Sequence, residues 1–330
     1  MNQMARNRAL AIATLVLAPV FIMAVPDAAS GDFLYATDLD GPQIYKVDKS
    51  TGALLQTIPV QQGQDTLVFN NQGNIIYSAY FAGQIRIVNP AVGISSDTLL
   101  ATVGGRPVDL ALTPDGNSVL ATNQITGQID KVDLTHPGST PTAFGNGQYT
   151  GGIAFDTSGR LFAVSNSQIV QLNPTTFSVI ASSGPLTGLD GLAFDPFTGK
   201  LFAASRTVNG VSGREGFYEL SLSPGSFLQA NLITSSSFPT TFDVDGLEPD
   251  GKGHLYLADE GRDQKIYQYD LTTGQLTALS GALPGLDDLA PLAGAGAPPA
   301  TTPEPASLTL LIVGAVGALG YAWRRRKQTA

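Results

Sequence analysis

Four aspartates, Asp65, Asp190, Asp245 and Asp287, each stand two residues before a leucine within a short apolar run, as in Asp190-Gly191-Leu192-Ala193-Phe194. Val108 and Gly151 hold the same place in two further copies, and Asp109 and Asp288 follow one position later. Carboxylates that recur at one register of a repeat converge wherever the repeats pack around an axis. Such a ring offers the oxygen ligands that a hard cation such as Ca2+ takes, about six to eight in number. Without enough cation the acids repel one another and hold their protons more tightly. Aspartate at strand-connecting loops also accepts hydrogen bonds from backbone N–H groups. The four residues therefore read either as a metal site or as loop caps.

Other chemistry is sparse. The 330-residue chain contains no cysteine, which excludes disulfide staples, thiolate zinc sites and cysteine nucleophiles. His254 has no matching Ser/Asp pattern and reads as a hydrogen-bonded structural group, and His136 lies in the loop before Pro137-Gly138. Ser212-Gly213-Arg214-Glu215-Gly216 is glycine-rich but lacks the lysine and following helix of a phosphate loop. The insertion that holds it, residues 206–216, reads as a lid, a partner-binding loop or a tolerated surface excursion.

The elements that must position the aspartates form a repeat. Gln43-Ile44-Tyr45-Lys46-Val47-Asp48 returns as Gln84-Ile85-Arg86-Ile87-Val88-Asn89, Gln128-Ile129-Asp130-Lys131-Val132-Asp133, Gln168-Ile169-Val170-Gln171-Leu172-Asn173 and Lys265-Ile266-Tyr267-Gln268-Tyr269-Asp270, with a degenerate copy at residues 217–220. The steps between Ile44, Ile85, Ile129, Ile169, Phe217 and Ile266 are 41, 44, 40, 48 and 49 residues. Between these segments lie hairpins such as Gly191-Leu192-Ala193-Phe194-Asp195 and Leu201-Phe202-Ala203-Ala204-Ser205, joined by Pro/Gly turns. Each period thus holds four short strands, the content of one propeller blade. The reading is an all-β, six-bladed propeller over residues 31–294. Residues 33–38 begin the first blade at its second strand, so the segment 285–292 is expected to supply the missing inner strand and close the ring. The inner-strand starts then share one face with the second-strand ends Asp38, Asn123, Asn166, Arg206, Asp259 and Glu260.

The Gly-Leu-Ala-Phe-Asp…Gly-Lys-Leu-Phe-Ala-Ala pattern at residues 191–204 resembles the NHL, YVTN and gluconolactonase-like propellers. The gluconolactonase resemblance implies a divalent metal at the channel mouth that polarises a lactone carbonyl. Asp190 and Asp245 match its acid positions, whereas Val108 and Gly151 stand in place of its asparagines. A metal-dependent, lactonase- or esterase-like hydrolase is accordingly the alternative to a binding or structural module.

The two ends read as addresses. Arg6 and Arg8 precede an uncharged apolar stretch, and Ala28-Ala29-Ser30 offers small residues for signal peptidase, so residues 1–30 read as a secretory signal with a helical core. Residues 295–302 form an Ala/Pro/Gly/Thr linker. Pro303-Glu304-Pro305 follows, then eighteen uncharged residues at 306–323 and the cluster Arg324-Arg325-Arg326-Lys327. As a helix the uncharged stretch spans roughly 27 Å, close to the hydrocarbon thickness of a bilayer. The basic cluster then belongs on the cytoplasmic side. The triplet, span and basic cluster resemble the PEP-CTERM sorting signal of Gram-negative bacteria. That resemblance implies recognition by an exosortase, cleavage near the triplet, and passage to the cell surface or an exopolysaccharide matrix. Setting both ends aside leaves 12 Lys/Arg against 25 Asp/Glu over residues 31–302, a net charge of −13. That surface repels nucleic acid.

Overall fold

A computed structural model describes residues 33–206, 216–234, 238–239 and 242–291. The expected signal helix, linker, C-terminal transmembrane helix and most of the 206–216 insertion lie outside these residues. Strands follow the repeat. Blade 1 contains β1 (Phe33–Asp38), β2 (Gln43–Asp48) and β3 (Leu54–Pro59). Blade 2 is β4 (Gln64–Phe69), β5 (Ile75–Ala79), β6 (Gln84–Val88) and β7 (Thr98–Thr102), and blade 3 is β8 (Pro107–Leu112), β9 (Ser118–Asn123), β10 (Ile129–Asp133) and β11 (Thr142–Phe144). Blade 4 is β12 (Ile153–Phe155), β13 (Leu161–Ser165), β14 (Gln168–Leu172) and β15 (Val179–Ser182). Blade 5 is β16 (Leu189–Asp195), β17 (Lys200–Ser205), β18 (Gly216–Leu220) and β19 (Ala230–Ile233). Blade 6 is β20 (Val244–Pro249), β21 (His254–Asp259), β22 (Ile266–Asp270) and β23 (Leu276–Ala278). β24 (Leu286–Pro291) pairs antiparallel with β1, Tyr35 opposite Ala290, and so becomes the inner strand of blade 1. The result is six four-stranded sheets in a ring whose first and last blades share no open inner edge.

Packing explains why the second strand of each blade is buried at nearly every position. Side chains alternate between the two faces of a sheet, and here both faces are covered by neighbouring blades. In β5, Ile75, Tyr77 and Ala79 enter the core between blades 1 and 2, while Ile76 enters the core between blades 2 and 3. Six such cores occupy the six blade interfaces, and the one between blades 6 and 1 joins Tyr256 and Ile266 to Leu34, Tyr45 and Leu289. Outer strands face solvent, as the largely exposed β3 shows.

One irregularity recurs at the same place. In β4, β8, β16, β20 and β24 the pairing to the second strand slips at the residues that carry the aspartates: Gln64 to Leu67, Pro107 to Asp109, Leu189 to Leu192, Val244 to Leu247 and Leu286 to Leu289. Each slip is a β-bulge with one extra residue on the inner strand, a device that re-aims side chains. The bulged N–H groups of Thr66 and Asp288 are taken up by hydroxyls of the second strands, Ser78 Oγ at 3.1 Å and Thr37 Oγ1 at 2.7 Å. Bulging brings the inner strands close together. A Cβ on Gly191 would lie 2.7 Å from the Asp245 carbonyl oxygen, and one on Gly246 would collide with the Asp288 side chain. Glycine at these two positions reflects close approach of a neighbour, since neither has a positive φ.

Candidate metal centre

The bulges turn the predicted aspartates toward the channel. Asp65, Asp190 and Asp245 line a cavity at its mouth together with Asp109 and Asp288. Asp287 joins them through Asp245, whose carboxyl is in hydrogen-bond contact with those of both Asp190 and Asp287. None of the four accepts a hydrogen bond from a backbone N–H among the described residues. Loop capping belongs instead to the second-strand ends. Asp38 accepts from Gly41 N at 2.7 Å, Asn123 from Arg106 N at 3.0 Å, and Asp259 from Asp243 N at 2.9 Å. Backbone capping on this face thus falls to the second-strand ends and not to the four inner-strand aspartates.

Burial sets the chemistry of the ring. Asp245 and Asp287 are 7% and 2% exposed. Asp245 Oδ1 finds only the Arg206 guanidinium, and Asp287 Oδ2 has no hydrogen-bond partner. Burial, reinforced by the charges of Asp245 and Asp190, raises Asp65 well above the usual carboxylate range. Burial and the charges of Asp245 and Asp65 do the same to Asp287. Asp190 is raised by burial and Asp245, and Asp245 by burial, with Arg206 opposing in both. One and three residues further along the inner strands lies a second layer. Asp109 accepts from Ile153 N at 2.8 Å and Leu110 N at 2.7 Å, yet burial still lifts it to about 7. Asp288 is pushed to about 8 by burial and the Asp109 charge. Glu248 rises well above the usual range for the same two causes, burial and the charges of Asp288 and Asp109.

A single guanidinium offsets part of this charge. Arg206, held by its backbone N–H on Gly188 O at 2.7 Å, places Nη1 2.8 Å from Asp245 and 3.2 Å from Asp190. Its Nε lies 3.8 Å from Asp243, and Nη2 pairs with Glu260. Glu260, Asp245 and Asp287 each present an oxygen within 4.8 Å of the others, a spacing that fits one cation. The donor set is all carboxylate, which suits Ca2+ or Mg2+ rather than a soft metal. Glu260 and Arg206 sit where the sequence reading put the second-strand ends, but their part in the ring was not apparent there; position alone could not show that they reach inward. Glu248 went unnoticed, although it is the one acid at a register that holds Val68, Ala111, Ala154, Ala193 and Ala290 in the other blades.

Beside the acids stands an exposed ledge. Phe81 is 65% exposed and packs edge-on against Tyr80, with the Arg106 guanidinium 5.2 Å from the Tyr80 ring. The histidines are remote and bound locally, His254 to Asp250 at 3.0 Å and His136 to Asp133 at 2.9 Å.

Residues 301–327 match the PEP-CTERM protein-sorting motif. No curated protein matches the chain. Among solved structures, a Bacteroides caccae protein of unknown function aligns over 78% of this chain and 97% of its own at 16% identity, with a TM-score of 0.60. A chain of a nidogen–laminin complex aligns over the same shares at 15% identity and a TM-score of 0.60. Hydrazine synthase of Kuenenia stuttgartiensis follows over 73% of this chain and 74% of its own, at 12% identity and a TM-score of 0.56. At these identities the likeness extends to the fold alone. The chain is a six-bladed β-propeller carrying a PEP-CTERM sorting motif, the mark of an exosortase substrate bound for export and the cell surface.

Proposed function

We propose that the propeller is a binding or structural module of the cell surface whose acidic mouth takes up a divalent cation, Ca2+ before Mg2+. The observation that carries this reading is the buried, unpartnered oxygen of Asp287 beside Asp245 and Glu260. A buried carboxylate without a donor is costly, and a cation relieves both the desolvation and the mutual repulsion of the ring. Asp65 and Asp190 complete the set from the neighbouring inner strands, and Arg206 neutralises the side on which Asp243 and Glu260 stand. In this reading the chain crosses the inner membrane of a Gram-negative cell on its signal peptide, which signal peptidase removes. The 306–323 helix then holds the precursor until exosortase cuts near Pro303-Glu304-Pro305. The released propeller associates with the surface or with exopolysaccharide, where Phe81 and Tyr80 supply an aromatic contact beside the cation.

The test is equilibrium dialysis of the chelator-treated full chain in detergent against Ca2+, with the bound metal counted by elemental analysis. About one Ca2+ per chain, lost in Asp287→Asn, supports the reading; no bound metal overturns it. A hydrolase would need the same cation with Arg206 placed to bear on a developing oxyanion. Lactone or ester turnover that appears only in the Ca2+-loaded protein and is lost in Asp287→Asn would move the assignment to that activity.

A further inference from the structure

The channel has a second end. Opposite the acidic mouth, on the face of the first-to-second strand turns, a cavity opens between the inner strands of blades 2 to 6. Phe69, Leu112, Phe155 and Phe194 supply its walls, and Asp109 and Glu248 close its inner end. Small-molecule pockets characteristically set a few convergent polar groups among apolar side chains, as here.

The repeat itself supplies the control for Glu248. Every inner strand presents a residue at this register, and the others are Ala111, Ala154, Ala193, Ala290 and Val68. Four blades meet the packing demands of the position with a methyl group, so the fold does not require a carboxylate there. Glu248 accepts no hydrogen bond from any described residue, and the charges that bear on it, those of Asp288 and Asp109, are both negative. Asp109 differs from it, being held by Ile153 N and Leu110 N, with Thr66 Oγ1 at 3.3 Å. Glu248 is thus an acid with no internal partner at the end of an apolar pocket, where burial makes a charge-assisted partner valuable.

We propose that this end of the channel binds a small organic cation with an apolar body, its ammonium head on Glu248 beside Asp109 and its body against Phe69, Leu112, Phe155 and Phe194. The site opens on the opposite face from the mouth, and Asp109 and Glu248 form the floor that the two cavities share. Two acids without a nearby base disfavour a carboxylate or phosphate ligand, and the apolar side chains of the walls offer a bare metal ion no donors. Aromatic faces add to the attraction for an ammonium group.

The experiment uses phenethylamine as probe on the full chain in detergent, followed by titration calorimetry, with 2-phenylethanol and phenylacetate as the neutral and anionic counterparts of similar shape. The expected result is saturable binding of phenethylamine, at least about tenfold tighter than the alcohol, and none of phenylacetate. Glu248→Gln and Glu248→Ala should each weaken it roughly tenfold or more. The second variant restores the residue that four sister blades carry, so it is expected to fold. Ala193→Leu should fill the pocket and abolish binding, while Asp48→Asn in an outer turn should leave it unchanged. Equal affinity for the alcohol, full binding in Glu248→Gln, or no binding of phenethylamine at about 10 mM would each overturn the proposal.

Discussion

The aspartates of the turns and the aspartates of the channel are the same residue type in opposite circumstances. Asp48 binds Ser50 and Thr51 through both backbone and hydroxyl, which lowers it to about 2. Asp133 and Asp270, at equivalent turns, are lowered for like reasons: Thr135 holds the first, and the N–H groups of Thr273 and Thr272 the second. Asp195 and Asp97 are buried but fully engaged, the latter by Arg86 at 2.9 Å, Tyr77 at 2.5 Å and Gln61 N at 2.6 Å. Asp65 and Asp287 accept no hydrogen bond from an N–H or hydroxyl among the described residues, and Asp245 has only the Arg206 guanidinium. A partnered acid stabilises the fold as an anion; an unpartnered one stabilises it only when protonated or cation-bound. The first group is architecture, and the second carries the proposed cation site.

The largest effect that would sharpen this contrast is loss of an engaged buried acid. Asp97→Ala strands Arg86 and Tyr77 and should cost about 3–5 kcal/mol in urea unfolding. A cost near zero would erase the distinction between the groups. Next comes the pH profile without divalent cation. A carboxyl raised in the folded state contributes stability at low pH and withdraws it as the pH rises through its folded value. Asp109 at about 7 and Asp288 at about 8 therefore make the protein gain stability as the pH falls from about 8.5 to about 5. A lowered carboxyl does the reverse: the stability from Asp48 is present above its ordinary value and is lost as the pH falls toward about 2. The melting temperature should peak on the acid side of neutrality and decline on both sides. A profile flat from pH 5 to pH 8.5 would contradict the state assigned to the channel.

A smaller effect belongs to the turn caps. Asp195 accepts from Thr198 N at 2.9 Å, Thr198 Oγ1 at 2.7 Å and Phe197 N at 3.2 Å. Asp195→Ala should cost about 2 kcal/mol. The smallest change, with the opposite sign, is expected of Asp287→Asn at pH 8 in chelator. Removing one member of the repelling set should stabilise by about 1 kcal/mol, or roughly 2–4 °C in melting temperature.

How far these groups could be told apart beforehand depends on the range of the signals. The blades, the closing strand at residues 286–291 and the shared register of Asp65, Asp190, Asp245 and Asp287 follow from period-two patterning and turn residues, which act over a few positions. The turn aspartates carry their own signature, since Asp-x-Ser/Thr places cap and donor side by side. The bulges carry none. They exist only as a miscount between paired strands, and strict alternation would have set Asp287 and Asp288 on opposite faces of the sheet. Arg206 was visible as a strand end, yet its reach across Asp190, Asp243, Asp245 and Glu260 depends on three strands of two blades. Glu248 was within reach of the sequence by aligning the repeats at the alanine of Leu-Ala-Phe. At that register it is the one charged residue beside four alanines and a valine.

The central question is whether the channel acids await a cation. Thermal unfolding of the full chain at pH 8, with Ca2+ varied at constant ionic strength set by NaCl, measures this. A ligand of the folded state stabilises by about 2.7 kcal/mol at one hundred times its dissociation constant. Saturating Ca2+ should therefore raise the melting temperature of the wild type by several degrees. Asp287→Asn should lose most of that rise, and Asp48→Asn in the turns should keep it. If NaCl alone reproduces the rise, or Asp287→Asn responds as the wild type does, the channel aspartates are no cation site.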